Sequence, residues 1–580
     1  MQIPTRWLRV LALLLAITMV AAACGSDDEG STTDSSDDSA ADTATDSGDD
    51  ASTTTGAADG TTDGGPTAAG GEFIDYGTFV GDPPEHLDPA LNSTLDAYQV
   101  INAVYDGLTE IDASDPANPV IVPLIAESFE ANDDASVWTF QIRDDAVFSN
   151  GDPILPSTFQ KSWERAADLA GDYSYLLTFL DGGAERLAGD ADTISGVVAD
   201  DDAGTLTVTL DAPYSNFDAV AGFQLFFPVP DAAIDAGDQW ENDIMIGNGP
   251  YAMESARTDE EITLVKSDAW VGDFAGETWP DRLDRIVFRT QADPDTAYNA
   301  FEAGEADNAN IPPARVEDAA ANYGTTLDVD ILGSYHFDFN GRAPEIGGPE
   351  NLKLRQAISA AINRDEINEA VYNSSRTVST GITPPGIPGQ VLGLCEYCAY
   401  DPEQAQTLFD EWVAEGGVQD GPLPIQFNAD AGHEPVVQIM IDNLAAIGIE
   451  AEATPFPSET YFSELAEGAC ILCRSGWFAD YPTYDNFMFD LFHSTSLGGN
   501  NYGFENAEFD ALVDEAKATV DKDAQADLFQ QAERILLNED THVVPINWYK
   551  GDYAYNQERI TNFPQTNFGL ILWEQITLAE

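Results

Sequence analysis

Two hydrophobic rhythms alternate along this chain, and that alternation limits the folds open to it. In SVWTFQIR, Trp138, Phe140 and Ile142 alternate with Val137, Thr139 and Gln141. A period of two is the mark of a strand with one face buried. GTLTVTL repeats it with Leu206, Val208 and Leu210, just after the turn-rich ADDDAG. Elsewhere the period lengthens to that of a helix. Leu354, Ile358, Ala361 and Ile362 fall on one face, as do Phe509, Leu512, Val513, Ala516 and Val520, and again Leu528, Ala532, Ile535 and Leu536. Such stripes face a core and imply no cofactor. A chain of 580 residues with interleaved signals predicts an α/β protein large enough for more than one lobe.

The alternation does not reach the N-terminus. Arg6 and Arg9 precede an apolar run from Val10 to Val20, and Ala21, Ala22 and Ala23 lead to Cys24. That is the layout of an export signal, and the run is short for a membrane span. Cys24 after small residues resembles a bacterial lipobox, with Ala21 standing where such boxes usually carry Leu. Residues 1–23 are therefore expected to be a leader and Cys24 a lipid anchor. From Gly25 to Gly71 no aromatic, Lys or Arg occurs. A Ser, Thr, Asp, Ala and Gly stretch of this kind buries too little apolar surface to offset the entropy of ordering. Residues 24–72 are expected to be a tether, spanning roughly 35–40 Å as a flexible coil. A tether behind a lipid makes sense for a body that works beside a membrane, on the outer face of the cytoplasmic membrane, at the cell surface or in a periplasm.

The chain carries 103 acidic residues against 23 Lys and Arg, a formal charge of −80. Phosphate backbones and anionic lipid head groups both demand a basic surface, so nucleic acid is excluded and the membrane is met only through the lipid. The field favours cationic or zwitterionic ligands, and equally suits a salty habitat. Besides Cys24, four cysteines stand in two C-x-x-C pairs, Cys395 with Cys398 and Cys470 with Cys473. Structural disulfides are the default in an exported chain, in any of three pairings. Zinc or redox chemistry would use the same spacing.

Catalytic signatures are missing. There is no G-x-S-x-G elbow, Walker loop or dinucleotide fingerprint, and the five histidines are scattered. HEPVV at His433 lacks the second histidine of a zinc-protease helix. No enzyme, metal or cofactor is expected.

One short stretch, RSGWFADYPTYDNF from Arg474, asks for a ligand. Asp480 stands among Trp477, Phe478, Tyr481 and Phe487, where an unpaired carboxylate loses hydration. The stretch is either a surface loop or holds its acid for a positive group.

Segments in a fixed order then point to a family: HLDPAL, VYDGLTEID, PLIAESFEANDDASVWTFQIRDDAVFSNGDPI, IGNGPY, AYNAFEAGEAD, YHFDFN, LRQAISAAINRDEI, GWFADYPTYDNF and QAERILLNEDTHVVPINW. From about residue 73 to about 550 the chain resembles the extracellular solute-binding proteins of family 5, the peptide- and nickel-type receptors of ABC importers. The resemblance implies a two-lobed α/β fold of the periplasmic-binding-protein type. The first lobe, 73–333, would carry an extra subdomain; the second would be 334–547, and 548–580 would return to the first. The crossings are expected near Ser334–Asn340 and Pro545–Lys550, as a hinge.

By the same resemblance Asp480 takes a peptide's α-ammonium group and Trp477 lines that pocket. Arg474 would face a carboxylate, or else pair with Asp480, and Tyr481 and Tyr335 complete the candidate site. The expected function is peptide capture and delivery to an ABC permease by a monomer. A sugar or nickel chelate is the alternative within the family; a secreted hydrolase or a structural surface lipoprotein is the alternative outside it. Asp480 disfavours an anionic chelate, and a sugar would need stacked rings such as Trp477, Tyr481 and Trp548.

Overall fold

The computed structural model describes residues 71–112, 119–272, 282–429, 431–458, 460–496 and 502–579. The leader, Cys24 and the tether up to residue 70 lie outside the described residues. Among the described residues the first regular element is the strand Glu72–Asp75.

The expected rhythms become strands and helices. Val137–Ile142 is a strand with Trp138, Phe140 and Ile142 buried, paired antiparallel to Thr205–Thr209, where Leu206 and Val208 are buried. With Ala126–Ala131 and Val197–Asp200 they form a four-stranded sheet. Against it packs the helix Pro156–Leu169, which buries Phe159 and Trp163. This unit is the extra subdomain of the first lobe. One stripe residue departs from expectation. The helix Ala507–Ala518 ends before Val520, which is left 54% exposed because Thr519 is already extended.

A seven-stranded mixed sheet is the frame of the first lobe. Its order is Gly324–Thr325, Tyr553–Tyr555, Asn308–Asn310, Glu72–Asp75, Arg285–Arg289, Glu261–Lys266, Tyr251–Met253. The first strand of the chain thus lies beside strands from much later in it, which closes long loops before any contact forms. A six-stranded mixed sheet is the frame of the second lobe, in the order Thr377–Val378, Val543–Lys550, Asp330–Phe339, Leu472–Phe478, Leu423–Asn428, Ala451–Phe456. Separate apolar clusters lie under each sheet.

The passages between lobes differ slightly from expectation. Asp330–Phe339 and Val543–Lys550 both belong wholly to the second sheet, where Asp330 pairs with Lys550 and Ser334 with Trp548. The chain changes sheets at their ends, between Thr325 and Asp330 and across Gly551–Asp552. The two passages touch: the Gly551 amide donates to Val329 O at 2.9 Å. A Cβ on Gly551 would stand 2.4 Å from Thr326 O, so no side chain fits there.

The cysteine pairs are local. Cys395 and Cys398 lie at bonding distance with Cα atoms 5.4 Å apart, and Cys470 and Cys473 likewise at 5.5 Å. Each would join positions only three apart in sequence, so neither can brace distant parts of the second lobe.

Candidate functional site

A cavity of about 910 Å³ lies between the lobes, at the upper end of the range for small-ligand sites. Leu95, Gln99 and Asn310 line it from the first lobe, and Tyr335, Arg474 and Tyr549 from the second. Strand register builds the second wall. Phe337 stands opposite Arg474 and Tyr335 opposite Gly476, so Arg474 and Tyr335 rise on one face as diagonal neighbours. The Arg474 guanidinium lies over the Tyr335 ring at 5.1 Å. A Cβ on Gly476 would come within 2.7 Å of the Tyr549 hydroxyl, so a side chain there would displace that ring.

Arg474 has no carboxylate within ion-pair distance among the described residues, and its Nε has no hydrogen-bond partner. Its neighbours are phenols, from Tyr335, Tyr372, Tyr461 and Tyr549. The Tyr335 hydroxyl and His433 Nδ1 are 3.0 Å apart. Burial first, and then the Arg474 charge, pull the His433 imidazole down to about 3, so that ring is neutral. A half-buried cation with no ion-pair partner among the described residues leaves its guanidinium able to take an anionic group.

Asp480 lines a second, smaller recess of about 80 Å³, two residues beyond Phe478, which lines the large cavity. The helix Leu95–Val104 borders both: Leu95 and Gln99 face the large cavity, Tyr98 and Asn102 the recess. Asp480 accepts from the Tyr173 hydroxyl at 2.9 Å and from Asn486 Nδ2 at 3.0 Å. No cation lies within ion-pair distance of it among the described residues. Burial pushes its carboxyl up to about 6, although both hydrogen bonds act to lower it. The recess holds more acids. Burial pushes Asp106 and Glu574 up to about 7 each, and Glu110 well above the usual range. A cation entering there would relieve these carboxylates, while an anion would meet their combined charge.

Three of the five expected residues therefore line a cavity: Asp480 the recess, Arg474 and Tyr335 the cleft. Trp477 lines neither. Its indole N–H donates to Asn486 Oδ1 at 2.9 Å, and Asn486 in turn holds Asp480, so Trp477 positions the acid from behind. Tyr481 is also turned away. It is fully buried, and its hydroxyl donates to Asp490 in the core between the subdomain and the second lobe. Alternation about Asp480 cannot tell these outcomes apart, because the chain leaves its strand at Phe478 and turns. Nor do Asp480 and Arg474 pair with each other, since they line different cavities. Sequence reasoning missed Tyr173, which lies in no quoted motif, gave no role to Asn486 although it stands inside the stretch from Arg474, and set aside His433 as a scattered histidine.

Comparison with known proteins gives a consistent picture. The family model for bacterial extracellular solute-binding proteins, family 5 (middle), matches residues 120–499. The chain is 25% identical to the dipeptide-binding protein DppE of Bacillus subtilis over 491 residues, covering 83% of this chain and 86% of that one. It is 26% identical to the oligopeptide-binding protein OppA of the same organism over 492 residues, covering 82% and 87%. The solved structure of Burkholderia pseudomallei OppA superposes with a TM-score of 0.73 at 23% identity, over 89% of this chain and 100% of that chain. Two lobes, the inserted subdomain and the ordered motifs agree with the match: this chain belongs to the bacterial extracellular solute-binding proteins of family 5.

Proposed function

We propose that the protein captures peptides in the interlobe cleft and delivers them to an ABC permease, binding them without making or breaking bonds. The observation that carries this reading is the pair of unmatched charges, Asp480 in the recess and Arg474 on the cleft wall. A peptide is a zwitterion whose ends would answer both. Asp480 would accept the α-ammonium and Arg474 a carboxylate, while Tyr335 lines the cleft and Trp477 supports Asp480. The three rings named for a sugar do not supply its platform, and the rings that line the cleft are Tyr335, Tyr372, Phe478, Tyr549 and Tyr553. Trp477 and Tyr481 line neither cavity, and Trp548 is buried with its indole N–H on Ile382 O. The acidic recess disfavours a nickel chelate of net negative charge. Native mass spectrometry of protein purified from cells should show bound masses that fragment as peptides. A bound sugar or metal chelate would overturn the reading.

The lobes would be residues 73–333 with 548–580, and 334–547, adjusted at the passages described above, in a monomer. No helix among the described residues is long and apolar enough to cross a membrane. The anchor would be a lipid on Cys24 after removal of residues 1–23. Cys24→Ser should move the protein from the membrane to the soluble fraction; a mutant that still sediments with membranes would contradict the anchor. The two cysteine pairs would be closed disulfides in the exported protein. Alkylation should then label all four only after reduction, and labelling without reductant would contradict closure.

A further inference from the structure

The extra subdomain meets the second lobe through ring contacts such as Phe179 on Phe489, and through one short turn that is densely hydrogen-bonded. In Tyr214–Ser215–Asn216, every residue bonds across the lobes. The Ser215 amide donates to Lys517 O at 3.0 Å, and its hydroxyl donates to Thr519 O at 3.0 Å. Gln525 Nε2 donates to that hydroxyl at 2.9 Å, and Lys522 Nζ to Ser215 O at 3.2 Å. Asn216 Nδ2 donates to Asp485 Oδ1 at 2.8 Å, while its carbonyl oxygen accepts from Lys522. The Tyr214 hydroxyl donates to the other oxygen of Asp485, which is 1% exposed. Beside the turn, Lys517 Nζ sits in a cage built by both lobes. It is 4.1 Å from the Phe179 ring and 4.5 Å from Tyr214 in the first lobe, and 3.4 Å from Phe489 in the second.

None of Tyr214, Ser215, Asn216, Lys517, Lys522 or Gln525 lines the cleft or the recess. The bonds between the turn and its socket exist only while the lobes are together. Opening about the passages at 326–329 and 551–552 would separate them and return Asp485 and the turn to water. We propose that this turn and its socket form an interlobe clasp, which sets how long the cleft stays closed and so how fast ligand leaves. The clasp is linked to the site through one further bond across the lobes, Tyr173 to Asp480. Separating the lobes therefore removes a hydrogen bond from the same carboxylate that is proposed to hold the ammonium. A ligand's affinity depends on the fraction of protein in the binding-competent state, so residues remote from the ligand can govern it.

The proposal rests on a cleft that closes on its ligand, and it is tested by a pair of measurements that separate it from peptide binding itself. Asn216→Ala and Lys522→Met each remove clasp bonds. Lys522 is the first residue of its helix, and methionine keeps its unbranched apolar stem while removing the ammonium. The first measurement, small-angle scattering of ligand-free wild type and variants, needs no ligand. The second is stopped-flow release of labelled trialanine. Each variant should have a larger ligand-free radius of gyration than wild type, and release should be roughly 30-fold faster, as loss of two net hydrogen bonds implies. Either change supports the clasp. Radii equal to wild type together with unchanged release overturn it. If trialanine does not bind wild type, the peptide reading is in question and the scattering comparison alone decides the clasp.

Discussion

Asp480→Asn should weaken peptide binding by about 30- to 1000-fold at neutral pH, a loss on the order of 2–4 kcal/mol. The substitution keeps the shape of the side chain and can keep its bond from Tyr173, but it removes the charge. A ligand ammonium would then sit against a neutral amide, with part of its lost hydration unreplaced. The same change should flatten the pH dependence. In the free wild type, burial holds the Asp480 carboxyl at about 6, so below that pH an ammonium must displace a proton before it can pair. Wild-type affinity should fall as pH drops through 6, approaching tenfold per unit, because the ammonium itself stays protonated there. Asp106, Glu110 and Glu574 remain in the variant, so the difference between the two profiles reports Asp480 alone. Calorimetry from pH 7.5 to pH 5 checks this, and parallel profiles would contradict it.

Stability should move the other way. The Asp480 carboxyl is raised above its unfolded value, so the folded, empty protein holds that proton more tightly than the unfolded chain does. The contribution to stability is fully present below about 4 and is lost as pH rises through about 6. At neutral pH the ionised acid is therefore a cost to the empty protein. Asp480→Asn should raise its unfolding temperature while lowering its affinity, a trade common where a site is held ready for a charged ligand.

Arg474→Met is the second substitution with a large expected effect. Methionine keeps an unbranched apolar stem but lacks the guanidinium, and no acid partner among the described residues is left stranded by the change. Peptides whose terminal carboxylate reaches Arg474 should lose about 1.5–3 kcal/mol, roughly 10- to 150-fold. Their C-terminal amides should bind wild type and variant alike. Titration of one peptide series in acid and amide forms checks this. An equal loss for both forms would mean that Arg474 shapes the wall without taking the carboxylate.

Much of the frame was legible because period two and period 3.6 are local signals. The strand at Val137–Ile142 and the stripe of Phe509, Val513 and Ala516 needed no tertiary information. Val520 failed because the helix stopped before it, and a stripe carries no stop signal. Asp480 was legible because a carboxylate among rings demands a partner. Of its immediate partners, Asn486 stood in the same stretch with nothing to mark its role, and Tyr173 lies 307 residues away. Trp477 and Tyr481 flank the acid but turn away from both cavities once the strand ends at Phe478, and only the folded turn decides which neighbours face a ligand. The two cysteine pairings were equally out of reach, because spacing alone permits three.

The most direct test of amine recognition at Asp480 is a calorimetric cycle over wild type and Asp480→Asn, each with one peptide and its N-acetylated form. Acetylation deletes the ammonium and the substitution deletes the carboxylate, so each should cost a similar amount alone. Together they should cost much less than their sum, as holds for groups in direct contact. Fully additive losses, or undiminished binding of the acetylated peptide to wild type, would contradict recognition of the peptide's amine by Asp480.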